Sequence, residues 1–87
     1  MIHTASARFW ACYQALPAEV RVLADKNFNL LKADPSHPSL QFKLLGAGKL
    51  YSARVGLHYR ALGLPREQGV HWFWIGTHAE YDRLVGT

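Results

Sequence analysis

Leu50-Tyr51-Ser52-Ala53-Arg54-Val55-Gly56-Leu57-His58-Tyr59-Arg60-Ala61-Leu62 is the stretch whose reading decides the fold. Tyr51, Ala53 and Val55 are apolar where Ser52 and Arg54 are not, and the alternation resumes with Tyr59 and Ala61 about Arg60. A period of two over this length belongs to a half-buried strand rather than a helix. Gly56 interrupts it and marks a hairpin turn. A two-residue turn, Gly56-Leu57, would pair Val55 with His58 and Ala53 with Arg60, mixing the faces. A three-residue loop, Gly56-Leu57-His58, pairs Val55 with Tyr59, Ala53 with Ala61 and Arg54 with Arg60. The apolar pattern therefore predicts the register that sets two guanidinium groups side by side on the open face of the sheet. Like charges directly opposite in a sheet cost a few tenths to about 1 kcal/mol. That cost points to an anionic ligand; the plainer reading is two unrelated arginines on a solvated surface.

The chain of 87 residues is expected to form one domain over 1–87, near the lower size limit for a single core. Hydrophobic residues make up 49% of it and include three Trp, so a core is available without covalent staples. The one cysteine, Cys12, excludes an internal disulfide and fits a reducing cytoplasm. No apolar run approaches the ~18 residues of a membrane span. Met1 to Arg8 has no charged segment followed by an apolar one, so a cytoplasmic location is expected.

The net charge of +4 is unevenly spread. From Pro35 to Arg66 there are five basic residues (Lys43, Lys49, Arg54, Arg60 and Arg66) and no acid. The rest of the chain carries five basic and six acidic residues. Clustered charge of one sign is the footprint of a polyanion or acidic partner. A solvated basic face that aids solubility explains the charge alone equally well.

Residues 1–4 form at most a short edge strand. Thr4 or Ser6 caps a first helix in which Phe9, Cys12, Tyr13 and Leu16 share a stripe, with Trp10 off it. Pro17 opens a second helix running to about Ala33, with Val20, Leu23, Ala24, Phe28 and Leu31 inward. Two amphipathic helices with a short break read as a helical hairpin. Asp34-Pro35-Ser36-His37-Pro38 ends the second helix. Leu40, Phe42 and Leu44 then alternate as a strand, and Gly46-Ala47-Gly48 turns into the central hairpin. Pro65 to Gly69 is a further turn. Val70-His71-Trp72-Phe73-Trp74-Ile75 is apolar on both faces and reads as a strand buried between layers. Thr77 with Glu80 forms a capping box for a last short helix, in which Tyr81, Leu84 and Val85 share a face.

These motifs together resemble the RelE/ParE superfamily of bacterial toxins, the toxin halves of type II toxin–antitoxin pairs. The resemblance rests on a helical hairpin, then Asp34-Pro-x-His-Pro-Ser-Leu40, Tyr51-Ser-x-Arg-Val-Gly-x-x-Tyr-Arg-Ala-Leu62 and Trp72-Phe-Trp-Ile-Gly-x-His-x-x-Tyr81. It extends from about Phe9 to Leu84. It implies an α+β fold: an N-terminal helical hairpin on a small antiparallel sheet, with a short C-terminal helix. It also implies a cognate antitoxin partner, in a toxin–antitoxin hetero-oligomer, and one of two activities. RelE-like members are ribosome-dependent mRNA endonucleases; ParE-like members share the fold but inhibit DNA gyrase without catalysis. By the resemblance, Arg60 contacts the scissile phosphate, Tyr81 stacks on a base or assists acid–base chemistry, and His78 stands where members place a basic or imidazole group. Arg54 matches a commonly basic position. Where some nucleases of the superfamily carry a glutamate or a lysine pair, the segment from Leu40 to Lys49 offers only Lys43 and Lys49. The superfamily's long first strand is short or absent.

Cleavage of RNA without a metal uses the 2′-hydroxyl as nucleophile. It requires a base, cations for the developing phosphorane and an acid for the leaving 5′-oxygen. Arg60 and Arg54 are the natural phosphate clamp. Among side chains, imidazole alone titrates near neutrality without help, which recommends His78; Tyr81 or a lysine fills the remaining proton-transfer role. Each has a plainer reading: Tyr81 as core, His78 as a first-turn helix residue. The histidines and Cys12 lack metal-ligand spacing, so neither a metal nor another cofactor is expected. A module that retains only antitoxin binding is the third possibility.

Overall fold

A computed structural model describes residues 1–86. Its elements are β1 (Ile2–Ala5), α1 (Ala7–Gln14), α2 (Ala18–Ala33), a 3-10 turn at Pro38–Leu40, β2 (Lys43–Leu45), β3 (Leu50–Val55), β4 (Tyr59–Arg66), β5 (Gly69–Thr77) and α3 (His78–Leu84). The central hairpin takes the register the apolar pattern demands: Val55 opposite Tyr59, Ala53 opposite Ala61, Arg54 opposite Arg60. Gly56 supplies the positive φ of +66° that the three-residue loop needs. A Cβ there would lie 2.6 Å from Leu23 Cδ2, so the loop also needs the missing side chain to sit against α2.

The expected order of a helical hairpin on an antiparallel sheet is corrected in two respects. The chain opens with a strand, and the five-stranded sheet, in the order β1-β5-β4-β3-β2, is mixed because β1 runs parallel to β5. Backbone satisfaction gives the reason. Without β1 the outer edge of β5 would be unpaired; instead Ile2 N–H donates to Gln68 O (2.8 Å) and Ser6 N–H to Trp72 O (2.9 Å).

Ser6, not Thr4, caps α1 by accepting from Phe9 N–H at 3.1 Å. α1 packs on β5 and α2 on β3. The two helices are linked by Tyr13 Oη donating to Asp25 Oδ1 at 2.7 Å, and Arg21 of α2 donates to the Leu16 carbonyl in the connection between them. The core on this side joins Leu16, Val20, Leu31, Leu40, Ala53, Val55, Ala61, Val70, Trp72 and Ile75. Phe28 departs from the inward stripe and is 39% exposed; its ring meets the His3 edge at 5.3 Å, with Lys32 Nζ 4.7 Å above it.

The strand expected from Leu40 is shorter and begins at Lys43. Leu40 closes the 3-10 turn, whose first N–H groups are capped by His37 Nδ1 accepting from Ser39 N–H (3.2 Å), and Gln41 follows with φ +43°. β4 runs on through Pro65, which pairs with Val70 beyond the last β3 residue in register, Tyr51. A proline there costs no β3–β4 ladder bond, because β3 no longer pairs with β4 at that position.

β5 is apolar on both faces, as expected, and the structure shows how. Leu62 pairs with Trp74 but Gly63 pairs with Trp72, so Phe73 is an extra residue, a β-bulge. Trp72 joins the helix-side core while Trp74 joins a second cluster with Leu62 and Tyr81 on the other face. That face is therefore not open: α3 covers part of it.

Replacing Gly56 by Ala should lower the free energy of unfolding by about 1–2 kcal/mol, from an adverse φ and the contact with Leu23. Urea titration of both proteins reads this directly, and an unchanged midpoint would show that the loop and α2 yield freely.

Candidate functional site

In-register neighbours share a face of a sheet, so Lys43, Ser52, Leu62 and Trp74 form one row and Arg54, Arg60 and Gly76 the next. All of these lie on the α3 side. Tyr81 comes down onto them from α3. It is only 9% exposed, and its hydroxyl accepts a 3.3 Å hydrogen bond from Ser52 Oγ. Burying Tyr81, Trp74 and Leu62 contributes about 1.5–3 kcal/mol each, so the docking of α3 is well secured.

Arg60 is half-buried. Its Nη1 donates to the Tyr59 carbonyl at 2.9 Å, and its guanidinium carbon lies 5.9 Å from the centre of the Tyr81 ring. Burial first, and the facing Arg54 second, push its pKa down; Tyr81 and Asp82 oppose them. The stacking contributes about 0.5–1 kcal/mol, similar in size to the cost of setting two guanidiniums opposite each other. Arg54 Nε donates to the Gly56 carbonyl at 3.0 Å, which turns its head group toward the hairpin loop.

His78 opens α3. Its backbone N–H donates to the His58 carbonyl at 2.7 Å, tying the helix to the hairpin loop. Its ring meets the Tyr81 ring edge-on at 5.8 Å, and its Nε2 lies 3.2 Å from Asp82 Oδ1. The capping box is formed: Thr77 Oγ1 accepts from Glu80 N–H at 3.2 Å, and Glu80 Oε1 accepts from Thr77 N–H at 3.2 Å.

The structure thus brings Arg60, Tyr81 and His78 together, with Arg54 alongside. Lys43, exposed, stands on the same face opposite Ser52. Lys49 does not join them: it lies in the turn before β3, about 16 Å from Arg54 at ~3.3 Å per residue. Two members of the site escaped the sequence reading. Asp82 was legible in principle, because a carboxylate four residues after His78 shares its helix face. Ser52 carried no such signal, since its partner Tyr81 is 29 residues away.

The site is a surface, not a pocket. A cavity of about 270 Å³ lies on the helix side, lined by His3, Phe9, Trp10, Tyr13, Phe28 and Trp72 among others; of the site residues Arg54 borders it, and Arg60, His78 and Tyr81 do not. Among the described residues, no group of three or more His, Cys, Asp or Glu side chains is gathered in a way that could hold a metal ion. No helix among them is long and apolar enough to cross a membrane.

No protein-family model matches the sequence, and no curated protein matches it. Solved structures do resemble the fold. A chain of the RelB–RelE antitoxin–toxin complex from Methanococcus jannaschii superposes with a TM-score of 0.70 at 17% identity, over 92% of this chain and 96% of that one. The archaeal RelE–RelB complex from Pyrococcus horikoshii gives 0.67 at 18%, over 86% and 91%. A copper-bound mutant toxin from Helicobacter pylori gives 0.62 at 18%, over 90% and 94%. The chain shares the fold of these structures.

The Glu80 carboxyl is held below its ordinary value, first by the Thr77 backbone N–H and then by the Thr77 hydroxyl. A depressed carboxyl stabilises the fold above its unfolded-state value, near 4.5, and that contribution is lost as pH falls through the folded value. Stability should therefore fall on acidification below about pH 4.5, and Glu80→Gln should flatten the fall by about 0.5 kcal/mol or less, given solvent screening. Urea midpoints between roughly pH 3 and 6, which bracket the ordinary carboxyl values, test it. Parallel curves for the two proteins would contradict it.

Proposed function

We propose that this chain is the toxin of a type II toxin–antitoxin pair and acts as a ribosome-dependent mRNA endonuclease. One observation carries the reading: Arg60, set against Arg54 despite the repulsion, lies over the Tyr81 ring whose edge carries His78. Two always-charged guanidiniums on one face, with an imidazole beside them, match what phosphodiester transfer needs. The RelB–RelE complexes among the similar structures support an antitoxin partner. Lys43, Arg54 and Arg60 offer it a basic face in a stretch with no acid from Pro35 to Arg66.

In this mechanism the 2′-hydroxyl attacks the adjacent phosphorus as His78 takes its proton. Arg60, with Arg54, neutralises the developing dianionic phosphorane. The P–O5′ bond breaks and the 5′-oxygen is protonated, for which Lys43 is the donor left on this face. The upstream fragment ends in a 2′,3′-cyclic phosphate and the downstream fragment begins with a 5′-hydroxyl. Tyr81, buried with its hydroxyl engaged by Ser52, is the platform that fixes Arg60 and His78.

Arg60→Ala should relieve growth arrest while changing unfolding free energy by no more than about 1 kcal/mol, the value of its ring contact. Wild-type toxicity in that variant would remove Arg60 from the centre of the site.

Replacing the target nucleotide by its 2′-deoxy form should abolish cutting, and EDTA at levels that spare the ribosome should leave it intact. Cleavage of the deoxy substrate would refute the 2′-hydroxyl mechanism. If programmed ribosomes are never cut while supercoiling stops, gyrase inhibition takes its place.

A further inference from the structure

His78 has a partner that neither the spacing motifs nor the phosphate clamp required. Asp82, one helical turn on, places Oδ1 3.2 Å from His78 Nε2. Its carboxylate is also felt by Arg60, on whose pKa it acts in the same sense as Tyr81 and against Arg54. Asp82 therefore lies within electrostatic reach of both groups assigned to the chemistry. The remaining surroundings of His78 are settled by other bonds: its backbone N–H is held by the His58 carbonyl, its ring rests on the Tyr81 edge, and Glu80 is engaged by Thr77.

We infer that Asp82 is a positioning residue for proton transfer at His78, holding Nε2 so that Nδ1 exchanges the proton with the RNA. This rests on the endonuclease reading above. A neutral imidazole carries one N–H and one lone pair, and an ionised carboxylate can only accept. The contact with Asp82 Oδ1 therefore places the hydrogen on Nε2 and the lone pair on Nδ1. When Nδ1 takes the 2′-hydroxyl proton, the ring becomes imidazolium with both nitrogens protonated. Nε2–H then makes a charge-assisted bond to the same carboxylate. Asp82 gains and loses no proton; it fixes the tautomer, restrains ring rotation and stabilises the cation formed in the step. Both side chains are close to half exposed, 44% for His78 and 49% for Asp82, so the effect is smaller than that of a buried acid–histidine pair.

The test is single-turnover cleavage of mRNA on programmed ribosomes across pH 5.5–8.5 (about one unit below to two above the ordinary imidazole value). Wild type, Asp82→Asn, Asp82→Glu, His78→Gln and the His78→Gln/Asp82→Asn double variant are compared, with thermal melts of each. Asp82→Asn should cut about 10-fold more slowly at saturating ribosome, with the half-saturating concentration unchanged. Asp82→Glu should recover part of the rate. His78→Gln should lose roughly 10²-fold or more, and adding Asp82→Asn to it should cost nothing further. Melting midpoints should stay within a few degrees throughout. Asp82→Asn cutting at the wild-type rate throughout this range would overturn the inference and leave the endonuclease reading standing. So would a full, additive loss in the double variant. Wild-type protein that never cuts would overturn the endonuclease reading and this inference with it.

Discussion

The single extra residue at Phe73 is the constraint on which the remaining architecture depends. An unbroken β5 would place Trp72 and Trp74, two residues apart, on the same face. The bulge opposite Leu62 and Gly63 divides them, sending Trp72 to the helix-side core and Trp74 to the other face. Gly63 and Gly76 make this possible. A Cβ at Gly63 would collide with Val70 and Trp72, and one at Gly76 would lie 2.5 Å from Trp74 Cζ2. Large indoles thus occupy space on both sides of a strand that has glycine beside it. The sheet is left with apolar surface on two faces and must be covered on both.

α3 is the cover for the second face, and its docking builds the candidate site. Tyr81 settles against Leu62 and Trp74 with its hydroxyl on Ser52. Because α3 follows β5 directly, seating Tyr81 also determines where His78 and Asp82 lie relative to Arg60. A buried hydrogen bond and three apolar side chains thereby hold a charged, half-exposed group of residues. Packing sets the geometry and the solvent-facing chemistry inherits it.

The hairpin loop is the second anchor. Gly56 sits against Leu23 of α2, its carbonyl receives Arg54 Nε, and the His58 carbonyl receives the His78 N–H. One three-residue loop therefore touches the helical layer, one guanidinium and the start of α3. This explains why two arginines remain opposite each other despite their repulsion. Their backbone positions follow from Val55, Tyr59, Ala53 and Ala61 on the opposite face, where burial outweighs about 1 kcal/mol of like-charge cost.

From the sequence alone the α+β class, the hairpin register, the capping box at Thr77 and Glu80 and the basic central segment were all determined, because each depends on near neighbours. Period-two alternation decides which side of a strand is buried, and that decides pairing once the loop length is chosen. Arg60, Arg54, His78 and Tyr81 were legible as a group through the same local signals and the resemblance they carry. What only the tertiary structure decided depends on contacts between distant residues. β1 pairs parallel with β5 because an edge 67 residues away needed partners. Trp72 and Trp74 part because a bulge is a compromise between strands, not a property of either. Ser52 meets Tyr81, Arg60 is half-buried and not fully wet, and the His78–Asp82 pair, itself one helical turn of α3, comes within reach of Arg60, because α3 folds back over the sheet. Lys49 is left behind because the β2–β3 hairpin ends before the charged row begins. Local pattern specifies what each strand and helix is. The position of one side chain over another is set by burial of the whole, and that is not written in any short stretch of the chain.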